Sequence, residues 1–121
     1  SENPAFPAER RAVLIARTEI IKALNEGARR VYEDSGFLKD INQQFTTTRF
    51  RQENGVSIPV GEGEKLMGPP AHPQCRCTIA LEPDAGMLIW IAGADERTCE
   101  VCVRLEADSE ALISQRLNKA A

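Results

Sequence analysis

The stretch His72-Pro73-Gln74-Cys75-Arg76-Cys77-Thr78-Ile79-Ala80-Leu81-Glu82-Pro83-Asp84-Ala85-Gly86-Met87-Leu88-Ile89-Trp90-Ile91-Ala92 continues after Gly93-Ala94 as Asp95-Glu96-Arg97-Thr98-Cys99-Glu100-Val101-Cys102. All four cysteines of the chain lie in it, a C-x-C pair near one end and a C-x-x-C pair at the other. Between them, two short apolar runs flank Pro83-Asp84-Ala85-Gly86, which reads as a β-hairpin with its turn. If Glu82 faces Met87, antiparallel counting sets Cys77 opposite Ala92 and Cys75 opposite Ala94. Cys99 and Cys102 follow a few residues later and can fold back over the same open end.

Four thiols gathered in this way suit a tetrahedral zinc ion, and a site with all four positions filled is structural. The expected metal ligands are Cys75, Cys77, Cys99 and Cys102. Arg76 and Arg97, with Arg104 further on, lie beside them in sequence and can offset the excess negative charge. His72, the only histidine, is a substitute ligand; its plainer reading is a loop histidine near the site. One rival is a redox-active Cys99-Cys102 pair, a motif that normally opens a helix after a strand and exposes a low-pKa thiol. It leaves the C-x-C pair unexplained. The other rival is a pair of structural disulfides, but no secretory leader is visible, which favours metal.

The sequence names no catalytic residue. His72-Pro73-Gln74 lacks the glutamate of the zinc deaminase pattern, and there is no H-E-x-x-H, G-x-S-x-G or phosphate loop. The 121 residues fit a single domain, 42% hydrophobic, with a net charge of -3. Residues 9–33 carry six basic and four acidic side chains, whereas residues 81–121 carry four basic and eight acidic ones. The second half should avoid phosphate backbones, leaving at most a weak DNA contact through the first helix. The longest apolar run, Met87 to Ala94, is too short to span a bilayer, so no membrane is expected among its partners.

Residues 8–34 read as a long helix. Val13, Ala16, Ile20, Leu24 and Val31 recur at three- and four-residue steps, and Leu14, Ile21, Ala28 and Tyr32 widen the stripe. That stripe is expected to pack on the core, or in part on a partner protein. Gly27 inside it suggests close approach by another element. Residues 35–71 form a long connection in which Phe45–Phe50 and Val56–Val60 can pair across Glu53-Asn54-Gly55, with an irregular Gly/Pro segment after them. The zinc-binding hairpin spans 72–105. A short last helix at 106–118, capped by Asp108 or Ser109, has Leu112, Ile113 and Leu117 as its apolar side. The fold class is therefore α+β: a long N-terminal helix packed on a small antiparallel sheet with a structural zinc site, and a short C-terminal helix.

Three segments together resemble a known family: Ala16-Arg17-Thr18-Glu19 through Asn25-Glu26-Gly27, Pro69-Pro70-Ala71-His72-Pro73-Gln74-Cys75-Arg76-Cys77, and Trp90 followed by Asp95-Glu96-Arg97-Thr98-Cys99-Glu100-Val101-Cys102. The combination is similar to the phage Mu F-like minor head proteins, also called phage head morphogenesis proteins. The resemblance covers somewhat over a third of the chain. It departs from the family in order, because the H-P-x-C-R-C segment here precedes the Trp strand. A tight turn between antiparallel neighbours reconciles the two orders, as in a permuted or re-engineered domain. The resemblance implies a non-enzymatic structural protein of a tailed-phage head, with portal or capsid proteins as partners, found in the virion and, during assembly, in the host cytoplasm. A nucleic-acid-binding zinc module, a thiol–disulfide oxidoreductase using Cys99-Cys102 and a permuted scaffold with no present function are the alternatives.

Overall fold

The computed structural model describes residues 8–72, 75–93 and 100–120. Helix α1 spans Ala8–Asp34, β1 Phe45–Glu53, β2 Val56–Leu66, β3 Thr78–Glu82, β4 Met87–Ile91, and helix α2 Glu100–Ala120. The strands form two separate antiparallel pairs, β1 with β2 and β3 with β4. The architecture is α+β, with both helices and both sheets in one body.

The β3–β4 hairpin has the register that its turn dictates. Glu82 pairs with Met87, and the ladder runs on to Thr78 opposite Ile91. Gly86 closes the turn at φ 66°, a left-handed conformation that a side chain would strain. Its N–H donates to the Glu82 carbonyl at 2.8 Å, and a Cβ there would also strike Lys39. Leu88 and Trp90 point into the main core with Leu38, Phe45, Cys75, Cys77, Ile79, Cys102 and Leu105. Trp90 meets Phe45 edge-to-face, ring centres 5.2 Å apart. Met87, with half-buried Ile89, turns to the opposite face and packs with Ala85 and Ile113.

β4 has a strand on one side only. Its other edge is satisfied by side chains. Gln43 accepts from the Leu88 N–H and donates to the Leu88 carbonyl, both at 2.8 Å. The Ser109 hydroxyl accepts from the Trp90 N–H at 3.0 Å, and Glu106 accepts from the Ala92 N–H at 3.1 Å. α2 thus lies along this edge, with Leu105 reaching the main core and Ile113 the smaller cluster. This corrects the short helix at 106–118. α2 begins at Glu100, so Ser109 is mid-helix rather than a cap, and it also donates back to the Glu106 carbonyl at 2.9 Å. The buried stripe is Cys102, Leu105, Ser109 and Ile113, at helical steps of three and four. Leu112 and Leu117 remain outside it.

α1 packs by a face that overlaps its apolar pattern only at one side, where Ile21, Ala28 and Tyr32 are half-buried. Val13, Ile20, Leu24 and Val31 are exposed, and the core-facing residues are Asn25, Arg29 and half-buried Tyr32. The reason is polar. The irregular segments on either side of the β1–β2 hairpin bring in carbonyl groups that need donors. Arg29 donates to the carbonyls of Ile41 at 3.0 Å, Gln43 at 2.7 Å, and Met67. Asn25 donates to the Cys77 carbonyl at 3.5 Å and Tyr32 to that of Ile79 at 3.4 Å. The close approach expected at Gly27 does not occur: nothing lies within 4 Å of where its Cβ would stand. The glycine costs about 1 kcal/mol of helix propensity with no packing return among the described residues.

The connection at 35–71 is more regular than its composition suggests. β1 and β2 pair around Asn54-Gly55, both left-handed at φ 54° and 78°, as a two-residue hairpin turn requires. β2 extends to Leu66 and takes in Gly61 and Gly63, which were expected in an irregular segment. At Gly63 a Cβ would strike the Thr47 side chain, so the crowded pairing there needs a glycine.

Arg29 is 5% exposed, and its replacement by leucine leaves three carbonyls without their donor. We expect Arg29→Leu to destabilise the fold by about 3 kcal/mol in urea unfolding, and Arg30→Leu on the exposed face to shift it by under about 0.5 kcal/mol.

Candidate metal centre

The open end of the β3–β4 hairpin gathers the cysteines. Past the last pair of the ladder the two arms stay close. A Cβ on Gly93 would stand 3.2 Å from Arg76 Cβ, so glycine allows this approach. Before β3 the Cys75 N–H donates to the His72 carbonyl at 3.2 Å. That bond holds His72 and Cys75 together. Cys102 reaches it from the first turn of α2, on the stripe anchored by Leu105 and Ser109.

The ligand atoms of His72, Cys75 and Cys102 all lie within 4.8 Å of one another. Cys102 Sγ is 3.3 Å from His72 Nε2 and 4.0 Å from Cys75 Sγ. A tetrahedral ion with metal–sulfur bonds near 2.3 Å and metal–nitrogen bonds near 2.0 Å requires edges of about 3.8 Å between sulfurs and about 3.5 Å between sulfur and nitrogen. Cys102 is spaced close to those edges from both Cys75 and His72. Both cysteines are buried, at 3% and 1% exposure, and His72 is half-buried.

Cys77, also buried, touches Cys75 and Cys102 through hydrogen bonds but falls outside the compact trio. Its hydrogen bond lowers the Cys75 thiol to about 5, helped by backbone donors at Ala71 and Cys77 and opposed by burial. The reciprocal effect raises Cys77: its proton is held by Cys75, and burial adds to that. Two neighbouring thiols therefore share a proton unequally, and the hydrogen bond between them favours the thiolate at one sulfur over the other. The Gly93 backbone and the Trp90 ring favour a thiolate at Cys77. Trp90 Nε1 is buried without a hydrogen-bond partner of normal geometry. A metal-bound Cys77 thiolate would give that N–H an acceptor, as donor-rich surroundings do for thiolate ligands.

Of the residues read from the sequence as ligands, the structure brings together Cys75, Cys77 and Cys102. Cys99 lies outside the described residues, as does Arg97. His72 Nε2 stands 3.3 Å from Cys102 Sγ, closer than Cys75 Sγ at 4.0 Å, so it belongs with the donors rather than beside them. Its signal was its place three residues before Cys75. Arg76 is exposed between two buried cysteines. Among the described residues no helix is long and apolar enough to cross a membrane. Comparison with protein-family models, with curated proteins and with solved structures found no match.

The shared proton gives a direct check. Removing the Cys77 thiol takes away the largest influence lowering Cys75. In metal-stripped protein, Cys77→Ala should move the ultraviolet thiolate titration of Cys75 upward from about 5 toward the ordinary thiol range near 8.5.

Proposed function

We propose that this chain is a non-catalytic assembly module whose fold is closed by one structural zinc ion. His72, Cys75 and Cys102 hold the ion, and Cys77 or Cys99 completes the tetrahedron. The observation that carries this reading is the compact, buried trio at the open end of the hairpin. Mixed imidazole and thiolate donors in tetrahedral spacing select zinc over the harder cations. A site with four protein ligands buried under Trp90 and Leu105 has no position for substrate, which supports a structural rather than a catalytic metal.

The setting we propose is the head of a tailed phage, where the chain contacts portal or capsid proteins during morphogenesis, in the host cytoplasm and then in the virion. Its support is the resemblance of Ala16–Gly27, Pro69–Cys77 and Trp90–Cys102 to minor head proteins.

A thiol–disulfide oxidoreductase is the second reading, because α2 begins at Glu100 and so places Cys102 in the first turn of a helix that follows a strand. Burial argues against it: Cys102 and Cys75 are 1% and 3% exposed, and an exchanging thiol must be reached by its substrate.

Elemental analysis of the purified chain is expected to find one zinc per chain, and Cys102→Ser to lose it. Where zinc stands a thousandfold above its dissociation constant, chelation should remove about 4 kcal/mol of stability. A full-length chain free of zinc and equally stable with chelator would overturn the metal reading. In a phage encoding this chain, Cys102→Ser should give malformed heads by electron microscopy, whereas exposed Arg116→Ala should not; normal heads from Cys102→Ser would remove the assembly role.

A further inference from the structure

Helix α1 carries an apolar stripe that no described residue of this chain covers. Val13, Ile20, Leu24 and Val31 are 49%, 58%, 64% and 66% exposed. With Arg10, Arg17, Gly27 and Asp34 they fall at alternating steps of three and four residues, the spacing of a helix–helix seam. The stripe lies roughly 120° around the helix from Asn25, at about 100° per residue. Asn25 faces the body, so a second helix can lie along the stripe without displacing it.

We propose that α1 pairs with α1 of a second copy of this chain, antiparallel, about a two-fold axis at the level of Lys22. The residues of the seam decide the direction. A parallel pair would set Arg10 against Arg10 and Arg17 against Arg17, four buried like charges. Reversing one helix sets Val13 against Val31 of the second copy and Ile20 against its Leu24. Arg10 then meets Asp34 of the second copy, an opposite charge at each end. Arg17 meets Gly27, whose missing side chain leaves room for the arginine stem to cross. Every layer from 10 to 34 is matched in this one register. It also gives Gly27 a function: the glycine has no neighbour within 4 Å in the single chain and receives Arg17 in the pair.

A two-fold contact of one face with itself is the commonest way for a soluble chain to form a dimer. One helix seam is at the small end of specific interfaces, on the order of 1,000 Å², so the pair should form in the micromolar range. It uses no residue of the metal centre and does not depend on the metal.

Sedimentation equilibrium of the full chain at concentrations up to the order of 100 µM tests it, the range a small interface calls for. A dimer is expected, with Leu24→Glu monomeric and unchanged in circular dichroism; Val13→Glu near the other end is the second variant. Arg10→Glu should weaken the dimer about tenfold, and the exchange Arg10→Glu/Asp34→Arg should restore it. Both charges of that exchange suit their ends of the helix, acid at the N-terminus and base at the C-terminus, so a weaker single variant does not reflect a melted helix. A chain monomeric at the highest concentration, a dimer that survives both Leu24→Glu and Val13→Glu, or an exchange that fails to restore pairing each overturns the proposal.

Discussion

The arrangement depends on the unpaired edge of β4. A two-stranded sheet buried under a tryptophan leaves backbone groups on its far side that neither water nor a third strand reaches, and each is costly if left alone. Gln43 answers both groups of Leu88, Ser109 answers Trp90, and Glu106 answers Ala92. Each bond fixes something beyond itself. Gln43 pins the loop before β1. Ser109 and Glu106 set the rotation and height of α2, and that setting places Cys102 beside His72 and Cys75. The metal centre is thus positioned by an edge strand's need for partners, several residues away from any ligand.

The same logic governs the first helix. Three carbonyls from segments flanking the long hairpin converge on one guanidinium, Arg29. A fork of fixed donors suits that convergence better than any apolar side chain. Burial lowers the tendency of Arg29 to carry charge, and Glu33 and Asp40 counter it. The helix is bound to the body by directed polar bonds, and its greasy side is left for other use.

The hairpin at 78–91 was legible because Pro83 to Gly86 is a local signal, and period-two alternation then sets every partner. The convergence of Cys75 and Cys77 followed from that register. The packed face of α1 was legible only at the edge of its stripe, where Ile21, Ala28 and Tyr32 are half-buried, and not at its polar centre. Its partners are the carbonyls of residues 41, 43, 67, 77 and 79, far away in sequence, and counting apolar residues cannot see them. The start of α2 was missed because its buried stripe runs through a cysteine and a serine, which a hydrophobic count passes over. Read as small, buriable residues, Cys102 and Ser109 would have extended the period from Leu105 and Ile113. His72 was legible as a neighbour of the site; its place as a donor came from the backbone hydrogen bond that joins it to Cys75.

The β1–β2 hairpin stands apart from all of this. From Arg51 to Val56 it is exposed, its two-residue tip is left-handed throughout, and its inner end alone is anchored, by Phe45 in the core and half-buried Leu66 beside it. Such a ribbon is separable from the rest in evolutionary terms. Its tip can lengthen, shorten or be exchanged for foreign sequence while Phe45 and Leu66 hold the stem. Diversity in related chains should therefore accumulate at this tip, and an epitope or affinity peptide grafted at Asn54-Gly55 would be displayed to solvent.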